Sequence, residues 1–301
     1  MDERLFARLA ALLLNESVVL ASVGNTRGAT PRKRGSRMLV TATTTEFSVG
    51  GGAAEARAVE AARALLGSSA HESQLEIDLS GRDGAAGVCG GRMQIALRRW
   101  QGANDRDYAA DIAAQLAEGR PVWAGTEEFG PGVEGELLQP DPRLLIVGGG
   151  HCGLALYELA RALDFAVFVF DQRADCFAAD VFPQATCRHS DYTRLADAFI
   201  DTREVYAVLL NRDFPSDVAT LRALEGRPLA FLGMMGSRKR IAEVLAALPD
   251  RGASLVDSLR APVGLDIGAQ TPHEIAVSIL AQLVQVRQQR ESLMDNAPIT
   301  A

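Results

Sequence analysis

A single glycine turn, Gly148-Gly149-Gly150-His151-Cys152-Gly153, constrains this chain more than any other feature. It stands directly after the apolar run Leu144–Val147 and opens a helical pattern from Cys152 to Leu163. A strand, a GxGxxG turn and a helix in that order point to a Rossmann unit. The first glycine permits the tight turn, the second lets backbone approach a phosphate, and the third lets the helix pack on the strand. The N–H groups freed at the helix start, together with the helix dipole, favour an anion. A second apolar run, Ala166–Phe170, ends at Asp171. A carboxylate at that place can accept hydrogen bonds from ribose hydroxyls. Taken alone, Gly148, Gly150, Gly153 and Asp171 predict a dinucleotide site, and with it an NAD(P)-dependent oxidoreductase.

The same rhythm continues to the C-terminus. Val205–Leu210 and Pro228–Leu232 read as strands, and Ser216–Leu224 and Ser237–Leu248 as helices. A final helix is expected from Pro272 to Arg290, with Thr271 as N-cap. Strands alternating with helices of this length imply a parallel sheet with crossover helices. The first half reads differently. A helix at 3–14 and a strand at 17–23 precede a basic glycine loop at 24–35. Strands at 38–41 and 46–49, a helix at 53–66, strands at 74–79 and 93–98, a helix at 105–118 and a strand at 121–125 follow. The expected fold class is α/β: a C-terminal Rossmann-like domain with a parallel sheet, preceded by an α/β N-terminal domain of mixed sheet. The expected boundaries are 1–130 for the first domain, 131–142 for a linker rich in Pro and Gly, and 143–295 for the Rossmann-like domain with its C-terminal helix.

Composition removes several functional classes. The net charge of −7, from 38 acidic and 31 basic residues, opposes general nucleic-acid binding, which needs a positive surface to neutralise phosphates. No apolar run approaches the ~18 residues of a membrane span, and the first residues lack the pattern of a signal peptide. A cytoplasmic protein with neither nucleic-acid nor membrane partner is the expectation. Cysteines stand at 89, 152, 176 and 187 without a Cys-x-x-Cys pair, so structural zinc is not expected.

Several residue groups can carry chemistry. Arg27, Arg32, Arg34 and Arg37 lie in or beside the first glycine loop and offer fixed donor forks to an anion. Gly50-Gly51-Gly52 precedes a helix and presents a second helix N-terminus, with Glu55 in its first turn. Cys89 lies in a second glycine loop, Gly87-Val88-Cys89-Gly90-Gly91, where flanking glycines would leave a thiol accessible to a close ligand. Cys152 opens the helix after the glycine turn, where a helix N-terminus can lower a thiol pKa, although packing is the simpler reading. Cys176 and Cys187 read as structural.

These motifs, in order, resemble the XdhC family, the accessory factors of xanthine dehydrogenase and related molybdenum hydroxylases. The carrying segments are Arg27-Gly28-Ala29-Thr30-Pro31-Arg32 with Gly35-Ser36-Arg37-Met38, Val49-Gly50-Gly51-Gly52-Ala53-Ala54-Glu55, Cys89-Gly90-Gly91, and Gly148–Gly153. Leu232–Arg240, Ala261–Gly268 and Thr271–Ala276 complete the set. The resemblance implies a carrier of the molybdenum cofactor (molybdopterin) that protects it during sulfuration by a cysteine desulfurase. It further implies insertion into apo xanthine dehydrogenase or a related hydroxylase, a homodimer, and no catalytic residues of the carrier's own. The implied cofactor-binding set is Arg27, Arg32, Arg37, Gly51, Gly52, Glu55 and Cys89 in the first domain. In the second it is Gly148, Gly150, His151, Gly153, Asp171, Ser237, Arg238 and Asp266, with Cys89 as the candidate molybdenum contact. Two departures stand out. Asn211-Arg212-Asp213-Phe214 lacks the Thr and nearby His common in the family, and position 53 is Ala where some members have Cys.

Overall fold

The computed structural model describes residues 2–82, 85–87, 89–248 and 258–295. Val88, in the second glycine loop, lies outside them. The chain divides into two compact units, Met1–Pro140 and Asp141–Ala301.

The first unit is built on five strands: β1 (Val18–Arg27), β2 (Arg37–Val40), β3 (Thr45–Phe47), β4 (Glu72–Asp78) and β5 (Arg92–Trp100). Their order is β3-β2-β1-β5-β4, and every pairing is antiparallel. The expected mixed sheet is thus an antiparallel one. Alternation along β1 sends Val19, Ala21 and Val23 to one face and Val18 and Leu20 to the other. Helix α2 (Gly52–Leu66) covers the first face through Ala54, Ala58, Ala62 and Leu65. Helices α1 (Asp2–Leu12) and α3 (Gly102–Ala117) cover the second through Leu5, Phe6, Leu9, Ile112 and Leu116. Strand β1 runs through the expected loop to Arg27, because an irregularity between Val23 and Thr26 re-registers it on β5. A short helix, α4 (Thr126–Phe129), follows β6 (Val122–Ala124). Part of the expected linker is also ordered: β7 (Glu136–Leu138) pairs with β6, and Leu138 is buried.

The second unit holds six strands: β8 (Arg143–Val147), β9 (Ala166–Asp171), β10 (Thr186–His189), β11 (Val205–Leu209), β12 (Leu229–Met234) and β13 (Leu259–Arg260). All five pairings are parallel, in the order β10-β9-β8-β11-β12-β13. Counted from β8, this is the 3-2-1-4-5-6 order of a doubly wound dinucleotide fold. Both faces are buried, which is why the central strands read as continuous apolar runs. Helices α5 (His151–Ala160) and α8 (Pro272–Asp295) pack on one face, α6 (Phe214–Leu224) and α7 (Arg238–Ala246) on the other. Thr271 does cap α8: its hydroxyl accepts from the Glu274 N–H at 3.3 Å, and the Glu274 carboxylate accepts from the Thr271 N–H at 2.9 Å.

The turn between β8 and α5 depends on backbone contact at Gly153. A Cβ there would lie 2.0 Å from the Gly148 carbonyl oxygen, so the third glycine is required for helix-on-strand packing. Gly153→Ala is expected to destabilise the protein by about 2–3 kcal/mol, measured by urea unfolding. An unchanged midpoint would contradict this packing.

Candidate functional site

In the first unit the three N-terminal motifs meet at one end of the sheet. A Cβ on Gly91 would lie 2.6 Å from the Arg27 carbonyl oxygen and 2.3 Å from that of Ala29. A Cβ on Gly50 would lie 2.7 Å from Pro31 Cγ and 3.8 Å from Arg32 Cγ. The loop after β1 therefore touches both the Gly50–Gly52 turn and the Cys89 loop. Arg27, Arg32 and Cys89 are exposed there. Among the described residues neither guanidinium has an ion-pair partner. Arg34, by contrast, pairs with Glu134 at 2.8 Å.

Two expected ligand groups are used by the fold itself. Arg37 is 3% exposed, donates to Asp2 Oδ1 at 2.7 Å and to Glu136, and lies 4.0 Å over the Phe129 ring. It is a buried structural cation, because its neighbours in β2 turn it into the apolar interior. The anion seat expected at the head of α2 is likewise filled. Glu55 Oε2 accepts from Ser48 Oγ at 2.6 Å and from the Val49 and Gly51 N–H groups at 3.1 Å each. Burial alone would raise the Glu55 carboxyl, but these donors hold it below the usual carboxylate range. Gly51 and Gly52 thus shape the turn that the Glu55 carboxylate holds.

In the second unit a cavity of about 200 Å³ opens beside Gly148, Gly150 and Asp171. It lies at the carboxyl ends of β8, β9 and β11, where the strand order reverses and open α/β sheets bind ligands. Asp171 does not present a free carboxylate to it. Oδ1 accepts from the Arg173 N–H and Nε, both at 3.0 Å, and Oδ2 accepts from the Gly149 N–H at 2.8 Å and Arg173 Nη2 at 2.9 Å. A carboxylate has about four lone-pair sites, and all four are taken. Burial would raise this carboxyl, yet the Arg173 and Gly149 donors hold it at about 2. The expected ribose acceptor therefore acts as a pin on the glycine turn.

The cation facing the turn is Arg212, which sequence reasoning missed. Its guanidinium would lie 3.7 Å from a Cβ on Gly150, and it has no ion pair among the described residues. Its position is set from beneath. Arg240 donates to the carbonyls of Asn211, Arg212 and Asp213 at 2.9–3.0 Å and pairs with the fully buried Asp217. Asn211 Nδ2 donates to the other Asp217 oxygen at 3.1 Å. Burial pushes the Asp217 carboxyl up, and the Asn211 and Arg240 hydrogen bonds oppose that push. The available signal was an Asn-Arg-Asp run at the carboxyl end of a central strand.

The remaining expected residues do not line this cavity. His151 is exposed at the first position of α5, and Gly153 is buried in packing. The Ser237 hydroxyl caps α7 by accepting from the Arg240 N–H at 3.3 Å. Arg238 and Asp266 are exposed. Cys152 packs against the core, and burial raises its thiol instead of the helix end lowering it. Among the described residues no three His, Cys, Asp or Glu side chains form a metal cluster, and no helix is long and apolar enough to cross a membrane.

Two family profiles match: one described as the XdhC Rossmann domain over residues 144–283, and one described as the XdhC and CoxI family over residues 11–78. The chain belongs to the XdhC family. It is 25% identical to the molybdenum cofactor insertion chaperone PaoD of Escherichia coli K12, over 96% of this chain and 90% of that one. It is 29% identical to a Bacillus subtilis 168 protein described as a probable subunit of xanthine dehydrogenase, over 50% of this chain and 45% of that one. The chain spans less than half the length of the first two curated relatives it matches. A crystal structure from Bacillus halodurans described as a xanthine dehydrogenase shares the fold, with a TM-score of 0.81 at 23% identity, covering 99% of this chain and 98% of that one.

The Asp171 pin makes stability depend on acid. An unfolded aspartate titrates near 3.9, and this one is depressed to about 2. Its contribution is complete above about pH 5 and is lost as pH falls through about 2, a difference of about 2 kcal/mol. Urea unfolding between pH 2.5 and 7 is expected to show that loss, and Asp171→Asn to remove it. An identical pH slope in the variant would contradict the assignment.

Proposed function

We propose that this protein carries the molybdenum cofactor as cargo, protects it while a cysteine desulfurase installs its terminal sulfur, and inserts it into apo xanthine dehydrogenase or a related hydroxylase. The observation that carries this reading is the convergence of three motif loops in the first unit, which leaves Arg27, Arg32 and Cys89 exposed together. The cargo is an anionic pterin whose dithiolene holds the metal. Arginine forks suit its phosphate and oxo groups, and a thiolate suits the soft metal centre or a transferable sulfur. The names of the Escherichia coli PaoD and Bacillus subtilis relatives support an accessory role beside a molybdenum enzyme. In this reading the chain needs no catalytic residues, functions as a homodimer in the cytoplasm, and hands its cargo to a protein partner.

The second unit has its own anion seat, formed by Gly150 at the head of α5 with Arg212 above it. That seat suits a phosphate or carboxylate group, and His151, Ser237, Arg238 and Asp266 stay outside its lining. A nicotinamide reading has the strand order and the switch-point cavity in its favour. Against it stands Asp171, whose lone pairs Arg173 and Gly149 already occupy.

Anaerobic gel filtration with released cofactor tests the proposal. Molybdenum and pterin are expected to co-elute with the protein. Cys89→Ala should weaken retention about tenfold, a loss of about 1.4 kcal/mol. Elution without molybdenum, together with calorimetric binding of NAD or NADP, would replace this reading with the nicotinamide one.

A further inference from the structure

A second cavity, larger than the one beside the glycine turn, lies in the first unit. It is a groove of about 770 Å³ over β1, β5 and β4, within the range of small-molecule sites. The antiparallel register explains its lining. Glu76 stands opposite Gln94, Gln74 opposite Ala96, and Arg27 opposite Arg92. Strand alternation places Gln74, Glu76, Arg92 and Gln94 on one face. This is the face whose far end, at Ala96 and Trp100, is covered by α1 and α3. Beyond that cover these two strands present polar side chains. Asn25 Nδ2 donates to Gln94 Oε1 at 3.4 Å, and Arg92 pairs with Glu76 at 3.2 Å.

Two details point to a ligand. Arg27 and Arg92 are paired directly across neighbouring strands and Glu76 balances only one of the two charges, so the pair keeps a net positive charge that an anion would offset. Arg27 also has no ion-pair partner among the described residues. The groove is moreover continuous with the motif loops, since Arg27 lines it and the Arg27 carbonyl abuts Gly91, two residues from Cys89. From Cys89 inward the order is a thiol, then two guanidiniums, then a carboxylate and three carboxamides. Steps of two residues along a strand are about 6.8 Å each.

We propose that this groove binds the pterin ring of the cargo, a proposal that rests on the carrier reading above. A 2-amino-4-oxopteridine presents adjacent N–H donors on one edge and ring-nitrogen and carbonyl acceptors beside it. The Glu76 carboxylate matches the donor edge, and the Gln74, Gln94 and Asn25 amides match the rest. The anionic substituent end then lies at Arg27 and Arg92, and the dithiolene end faces the Cys89 loop. A guanine nucleotide has the same hydrogen-bonding edge, so the test must separate the two.

The probe is pterin-6-carboxylate, titrated into the full-length protein by its own fluorescence, with lumazine-6-carboxylate (which lacks the 2-amino group) and guanosine monophosphate as comparators. Saturable pterin binding is expected, at least tenfold weaker for lumazine and for guanosine monophosphate. Glu76→Gln should weaken pterin binding at least tenfold while the thermal midpoint stays unchanged, because the Glu76–Arg92 pair is exposed on both sides. Gln94→Ala serves as a second variant. Equal binding of pterin and lumazine, equal binding by wild type and both variants, or preference for the guanine nucleotide would each overturn the groove assignment. Cofactor retention without pterin binding would overturn the groove and leave the carrier reading standing. Pterin binding without cofactor retention would support the groove as a pterin site and overturn the carrier reading.

Discussion

A glycine turn that starts a helix leaves backbone N–H groups without intrahelical acceptors, and a compact chain has to satisfy them. In both units a carboxylate of the chain braces the glycine turn in front of the helix, while no side chain caps the first helical N–H groups. Glu55 takes the amides of the Val49–Gly51 turn, and Asp171 takes Gly149. Each carboxylate then fixes its surroundings. Glu55 holds Ser48, and with it the turn on which Pro31 and Arg32 rest. Asp171 holds Arg173, and with it one wall of the switch-point cavity. The glycine turns are thereby held from within, and the helix starts behind them keep N–H groups that no side chain caps.

Partnering separates structural cations from candidate ligand cations. Arg37 and Arg240 lie in or beside the family motifs, as Arg27 and Arg32 do. Arg37 is sealed between Asp2, Glu136 and Phe129. Arg240 braces the loop after β11 against buried Asp217. Removing Arg240 would leave buried Asp217 without its counterion and three loop carbonyls without their donor, which is costly to the fold irrespective of any ligand. Among the described residues Arg27, Arg32 and Arg212 have no ion-pair partner; Arg27 ends β1, and Arg32 and Arg212 stand in the loops after β1 and β11.

The Rossmann half was legible because a parallel sheet buried on both faces writes its strands as unbroken apolar runs, and because Gly148 and Gly153 each answer a distinct steric demand. The strands at 38–41 and 46–49 read as a hairpin and pair antiparallel; the direction of the other strands in the first half was not legible, since an alternating pattern is the same for parallel and antiparallel pairing. Strand β10 escaped notice because Thr186–His189 sits at a sheet edge with mostly polar side chains. Arg37 looked like a loop arginine, although the apolar Met38-Leu39-Val40 behind it signals a strand that carries it inward. The groove residues Gln74, Glu76, Arg92 and Gln94 were visible only as polar positions of two separate strands. Their pairing depends on the β4–β5 register, which the pattern of either strand alone does not specify.

The central claim is that the motif loops around Cys89 form the seat of the cargo. Cys89 is exposed, whereas Cys152, Cys176 and Cys187 are half-buried with thiols raised by burial. The most direct measurement is alkylation of the four thiols by iodoacetamide, followed by mass spectrometry, with and without bound molybdenum cofactor under anaerobic conditions. Cys89 is predicted to be the fastest-modified thiol of the empty protein and the one strongly protected on loading. Loading that leaves the Cys89 rate unchanged would contradict that seat.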